Sequence, residues 1–335
     1  MDKSNTNTKA ARRERRRTNI IWIIFVTIVW YMFGAGFMRI PYETMMDEYV
    51  IGKASNEMVF ILDMYAPTIL DIFVLFLLCW VFDRNRYIWK SFLFGKKELL
   101  TQDDIDAEFY GRSRNGMGML CKGFIIGFIM NFACIALALV HGDIKLYFEA
   151  YLSQIPFFLF ALLCVTIQST SEELWCRGFM YERLHERYPL WVVVVVNGTF
   201  FGLLHVFNPG ATVLSIADII ICGLAFSLVR WYSGSIWIAM GIHAGWNYTQ
   251  NIIFGLPNSG LVSEASIFHL DAVTGVSNLI YDYAFGVEGA LPAVFADAIL
   301  GIVCLVLASK TGKLVELKET RKQTQERLAG QTEAA

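Results

Sequence analysis

Charge is scarce in this chain. Only 17% of its 335 residues are Asp, Glu, Lys or Arg, 56% are hydrophobic, and the mean hydropathy is +0.47, a balance that excludes an ordinary soluble domain. The formal net charge of −2 gives no electrostatic basis for nucleic-acid binding, and none is expected. The seven cysteines are scattered without a C-x-x-C pair, so neither a disulfide framework nor a thiolate zinc site is expected. No internal repeat of the kind that marks many transporters is visible. The zincin signature H-E-x-x-H is also absent, and basic residues are missing altogether from the stretch 255–289.

What is present is long and apolar. Runs of roughly 20 hydrophobic residues, enough to cross a bilayer as helix, occur at about Asn19 to Met38, Ala66 to Phe82, Gly118 to Val140, Pro156 to beyond Glu173, Leu190 to Phe207, Thr212 to Arg230, Ser235 to Phe254 and Ala290 to Ser309. The pattern predicts an all-α integral membrane protein, a bundle of about eight transmembrane helices. The first run follows Arg12, Arg13, Arg15, Arg16 and Arg17, but it is too long for a signal-peptide core and lacks a small-x-small exit, so it reads as a retained anchor.

Lys and Arg accumulate on the cytoplasmic side of membrane proteins. The basic N-terminus, the second loop with Arg84, Arg86, Lys90, Lys96, Lys97, Arg112 and Arg114, and the tail with Lys310, Lys313, Lys318, Arg321, Lys322 and Arg327 all fall on one predicted face. Both termini are therefore expected in the cytoplasm of a multi-pass protein of the cell membrane. The segment 255–289, holding Glu264, Asp271, Asp282 and Glu288, falls outside, and its length suggests that it covers the outer face or dips into the membrane. The organisation expected is a basic segment over 1–18, a membrane domain over 19–309 and a charged tail over 310–335. An acidic patch at Asp103, Asp104, Asp106 and Glu108 reads as a solvated linker helix.

Against this apolar background, the informative residues are the polar ones within spans. An ionised group at that depth costs several kcal/mol unless it is paired or faces water. Glu172 and Glu173 stand together in the fourth span, and Arg177 follows Glu173 at the i, i+4 spacing of an ion pair. His205 and His243 lie in spans, in Phe201-x-x-x-His205 and His243-x-x-x-Asn247, whereas His141, His185 and His269 fall in loops or turns. Spans four and five should turn near Tyr188 and Pro189. Glu172 and His205 then lie at a similar depth, roughly 25 Å along each helix at about 1.5 Å per residue. His243 and Asn247 come to a comparable level after a turn near Ser233 and Gly234.

Such a site has the parts for amide hydrolysis in an apolar setting. Glu172 could take a proton from water and His205 hold or polarise that water. His243 and the Asn247 amide could stabilise an oxyanion, and the Glu173–Arg177 pair could orient the carboxylates. Two histidines and a glutamate are also a recognised zinc set, here Glu172, His205 and His243, and spacing does not choose between metal-bound and glutamate-activated water. The same residues could instead hold helices together by hydrogen bonding.

In order, these residues spell E-E-x-x-x-R, F-x-x-x-H and H-x-x-x-N: Glu172-Glu173-Leu174-Trp175-Cys176-Arg177, Phe201 to His205 and His243 to Asn247. Over about 155–255 the chain resembles the CAAX protease and bacteriocin-processing family of intramembrane endopeptidases, with Cys176 where phenylalanine is common. The resemblance implies an eight-helix fold, a conical cavity between helices, and peptide-bond hydrolysis within the membrane. It implies that Glu172 and His205 activate water, that His243 and Asn247 form the oxyanion site, and that Phe201 helps position substrate. A membrane-associated peptide or protein is the partner implied, with zinc participation open. Two other functions compete. Asp71, Asp218 and Asp297 within spans would suit a proton-coupled secondary transporter, and a non-catalytic immunity or signalling scaffold could keep the motifs for structure alone.

Overall fold

The computed structural model describes residues 19–32, 39–82, 116–185, 187–263, 265–273, 275 and 277–314. The basic N-terminal segment, the loop carrying the acidic patch and most of the charged tail lie outside the described residues. The helices are α1 (Ile20–Met32), α2 (Arg39–Tyr49), α3 (Asn56–Tyr65), α4 (Thr68–Phe82), α5 (Met117–His141), α6 (Ile155–Glu173), α7 (Tyr181–His185), α8 (Leu190–Leu203), α9 (Val213–Ser233), α10 (Ile236–Asn247) and α11 (Leu291–Lys310). The all-α expectation holds apart from one two-stranded antiparallel sheet, β1 (Ile144–Phe148) with β2 (Phe268–Ala272).

Each of the eight expected runs contains a helix. Five are long and apolar enough to cross a membrane: Asn56–Trp80, Met117–His141, Leu152–His185, Val213–Ser233 and Leu291–Lys310. Ile20–Val29 and Leu190–Leu203 are apolar but shorter. The chain is thus a multi-pass membrane protein.

Two boundaries differ from expectation for local reasons. Helical structure in the second run begins at Asn56, where Ser55 caps α3 by accepting from the Met58 amide. The fifth run stops at Leu203 and not Phe207, before the turn-forming Asn208-Pro209-Gly210, with Gly210 at φ 73°.

Two helices contain π-helical turns, Leu174–Met180 continuing α6 into α7 and Tyr248–Ile253 continuing α10. A π turn leaves backbone groups out of the ordinary ladder. The first is compensated by Asn197 of α8, whose side chain donates to the Cys176 carbonyl at 2.5 Å while accepting from Ser227.

Helices approach most closely where glycine removes side chains. Gly123 and Gly127 of α5 face Gly241 and Gly245 of α10, and a Cβ on Gly127 would lie 2.0 Å from the Ile242 carbonyl oxygen. This is small-residue packing of the kind that lets membrane helices touch backbone to backbone. Gly198 of α8 and Gly223 of α9 repeat it, a Cβ on Gly223 falling 2.7 Å from the Gly198 Cα.

The two ends of the bundle are distinct. At one end the Tyr188 hydroxyl accepts from the Ile20 amide, and Lys313 donates to the Trp231 and Tyr232 carbonyls, so the start of α1 and the end of α11 lie together. The other end carries the β1–β2 sheet, which ties the segment after α5 to the segment before α11. There the described residues of 255–289 carry short bridges, Asn258 to Leu261 and Asp282 to Gly286, and through Asn258, Ser259, Leu261 and Glu288 they form a roof over the cavity between the helices.

Candidate active site

The site begins with an ion pair inside the bundle. Glu173 and Arg177 are fully buried, and Arg177 Nη1 donates to Glu173 Oε1 at 2.9 Å. Arg177 Nη2 donates to the Gly223 carbonyl at 3.1 Å, and the guanidinium lies over the rings of Phe201 at 4.3 Å and Phe226 at 5.3 Å. Aromatic faces and a backbone acceptor thus surround a cation that is buried from solvent.

Glu173 also fixes the second histidine. His243 Nδ1 lies 3.1 Å from Glu173 Oε1, and because an ionised carboxylate only accepts, Nδ1 carries the proton. Nε2 then points to Glu172 Oε2 at 3.8 Å. Glu172 is half-buried, receives a hydrogen bond from Gln168 through Oε1, and keeps Oε2 without a hydrogen-bond partner.

The same logic assigns His205. It stands in the turns after α8, where its Nδ1 lies 2.9 Å from the Phe201 carbonyl. A carbonyl only accepts, so Nδ1 carries a proton and Nε2 is the nitrogen left for other partners. Phe201 is therefore more than a wall: its ring supports Arg177 and contacts His243 edge-on, while its carbonyl orients His205.

All three motifs reach one cavity of about 110 Å³. Glu172, Phe201, His205, His243 and Asn247 line it; Glu173 and Arg177 stand behind them. Glu172 and His205 share this cavity without a direct hydrogen bond or ion pair. Asn247 donates to Gln168 at 3.2 Å, which leaves its second amide hydrogen available.

Several lining residues were not among the sequence candidates. Gln168 bridges Glu172 and Asn247. Glu288, from the turn before α11, accepts from Trp246 Nε1 at 2.8 Å, Asn258 at 3.0 Å, and the Ser259 amide and hydroxyl at 2.7 Å each. Burial pushes the Glu288 carboxyl above the usual glutamate range against the opposing effect of those donors. Asn258 also donates to Asn247 at 3.2 Å. Gln168 had a findable signal, its i, i+4 spacing to Glu172; Glu288 and Asn258 had none, being loop residues far along the chain.

The residues do not fit zinc as placed. Among the described residues no group of three or more His, Cys, Asp or Glu side chains is arranged to hold a metal ion. Of the three candidate ligands, the contact between His243 Nε2 and Glu172 Oε2 is 3.8 Å, and neither makes a hydrogen bond or ion pair with His205.

Residues 153–249 match the family model described as type II CAAX prenyl endopeptidase Rce1-like. This segment is Rce1-like. It runs from the start of α6 into the second π turn and carries all three motifs. The roof and α11, with Asn258, Glu288 and Asp297, lie outside it. A Bacillus subtilis (strain 168) protein, "Uncharacterized protein YyaK", is 34% identical over 92 residues, 26% of this chain and 30% of that protein. The chain thus spans under a third of the length of the curated relative it matches.

Proposed function

We propose that this chain is an intramembrane endopeptidase that hydrolyses a peptide bond of a membrane-associated peptide or protein. The observation that carries the reading is the meeting of Glu172, His205, His243 and Asn247, from three separate segments (α6, the turns after α8, and α10), around one cavity. The likeness of the segment that carries them to CAAX prenyl endopeptidases supports the same reaction class.

In the reaction, Glu172 takes a proton from a water that the Nε2 lone pair of His205 orients, and the hydroxide attacks the scissile carbonyl carbon. The carbonyl oxygen becomes an oxyanion. The free N–H of Asn247 donates to it, joined by Nε2–H of His243 when the ring is an imidazolium flanked by Glu173 and Glu172. Glu172 then returns its proton to the departing amine as the C–N bond breaks. Glu173 and Arg177 hold His243 and take no proton. No step passes through a metal.

The membrane body over 19–309 carries this chemistry, and the flanking segments 1–18 and 310–335 stand outside it in the cytoplasm. The shared location of the α1 start and α11 end supports that arrangement.

The test compares membrane peptides from cells carrying the native protein with those from cells carrying Glu172→Gln. A species that accumulates uncut only in the variant, at equal protein level, is the expected result. If Glu172→Ala and His205→Ala both support the full cellular phenotype, hydrolysis is not the function.

A further inference from the structure

Four carboxylates line the cavity, Glu172, Asp218, Glu288 and Asp297, and no lysine or arginine does. Glu172 belongs to the reaction and Glu288 is saturated by donors from Trp246, Asn258 and Ser259. The two aspartates differ. Asp218 of α9 is 1% exposed and its Oδ1 has no hydrogen-bond partner. Asp297 of α11 is 3% exposed and is contacted by the Cys222 thiol, a weak donor. The pair is close enough for mutual repulsion, which Glu288 increases.

A buried acceptor left without a donor costs about 1–3 kcal/mol. An acidic wall inside a membrane, facing a cavity that no lysine or arginine lines, is complementary to a ligand that brings a cation.

Resting on the endopeptidase reading, we propose that Asp218 and Asp297 form a subsite for a positively charged group of the peptide, a lysine or arginine side chain or a free α-ammonium. The same wall repels a terminal carboxylate, so a substrate cut near its C-terminus must keep that end away from α9 and α11. The chemistry selected is a basic residue within or beside an apolar segment.

The experiment uses the purified full chain in lipid nanodiscs and a pool of apolar peptides that differ at one position, lysine, norleucine or glutamate, each with a free or acetylated N-terminus. Retained and cleaved peptides are quantified by mass spectrometry. Lysine peptides should be retained about ten- to a hundredfold over norleucine peptides, the range a charge-assisted hydrogen bond supplies, and glutamate peptides least. Preference for lysine regardless of acetylation identifies the side chain as the source; preference confined to free N-termini identifies the α-ammonium. Asp218→Asn and Asp297→Asn should bring the ratio toward one, whereas Asp71→Asn, outside the cavity, should leave it unchanged.

Equal retention by the native protein of lysine and norleucine peptides, and of free and acetylated N-termini, overturns the proposal whether or not the variants fold. Cleavage without charge preference overturns it while sparing the endopeptidase reading. Charge-selective retention without cleavage does the reverse.

Discussion

Glu172 and Glu173 are neighbours in sequence with opposite structural duties. Glu173 Oε1 serves Arg177 and His243 together, so its removal strands a cation in a dry interior. Breaking one partner of a buried pair costs about 3–5 kcal/mol, and Arg177→Met or Glu173→Ala should lower the unfolding temperature in detergent accordingly. Arg177→Lys should not rescue it fully, because Nη1 and Nη2 reach two different acceptors and one ammonium replaces a fork over two rings. Glu172→Gln should behave in the opposite way. The side chain is half-buried with one oxygen unpartnered, so stability should stay within about 0.5 kcal/mol while cleavage of a reporter peptide falls at least about a hundredfold. A variant of Glu172 that unfolds like those of Glu173 would erase the distinction.

Among the elements, α10 is the most constrained. Gly241 and Gly245 meet α5 on one side, and a Cβ on Gly241 would fall 2.1 Å from the Leu120 carbonyl oxygen, a contact that no side chain can relieve because the obstacle is backbone. His243 and Asn247 occupy the cavity side. Gly241→Val should therefore separate the helices and abolish both folding yield and activity, whereas Ile125→Val, on an outward position of α5, should change neither; size-exclusion profiles decide it. The roof is joined to α10 through Glu288, which accepts from Trp246. Burial raises the folded-state pKa of Glu288, so its contribution to stability is full below the ordinary glutamate value of about 4.3 and is lost as pH rises through the raised value. Glu288→Gln should flatten the fall in unfolding temperature between those limits. An unchanged pH profile would remove Glu288 from that account.

For the whole molecule, topology follows from which helix ends meet. The β1–β2 end and the α1–α11 end are opposite, and the proposed orientation, taken from the charge asymmetry of the sequence, puts the former outside. Val273→Cys, on the exposed turn after β2, should react with a membrane-impermeant maleimide in intact cells above the background of the native cysteines; protection until lysis would invert the orientation. Much of this architecture was legible because apolar runs of bilayer length are a strong signal and because polar residues such as Glu172, His205 and Asn247 contrast with them. The π turn at Leu174–Met180 was not, since nothing in Leu-Trp-Cys-Arg-Gly-Phe-Met announces an extra residue per turn; its support, Asn197, comes from another helix. Glu288 and Asp297 were equally hidden as partners of the motifs, because only tertiary folding brings α11 and its preceding turn to the cavity.

The glycine contacts between α5 and α10 also divide the cavity mechanically. With carbonyl oxygens standing where any Cβ would collide, those two helices act as the fixed jaw of a vice, and the residues that would stabilise an oxyanion are mounted on it. Facing it is the roof, held by the Glu288 hydrogen bonds and by packing of Leu256, Tyr281 and Val287 against α5, α10 and α11. A substrate therefore meets His243 and Asn247 on a backbone spacing that no side-chain movement can widen or narrow.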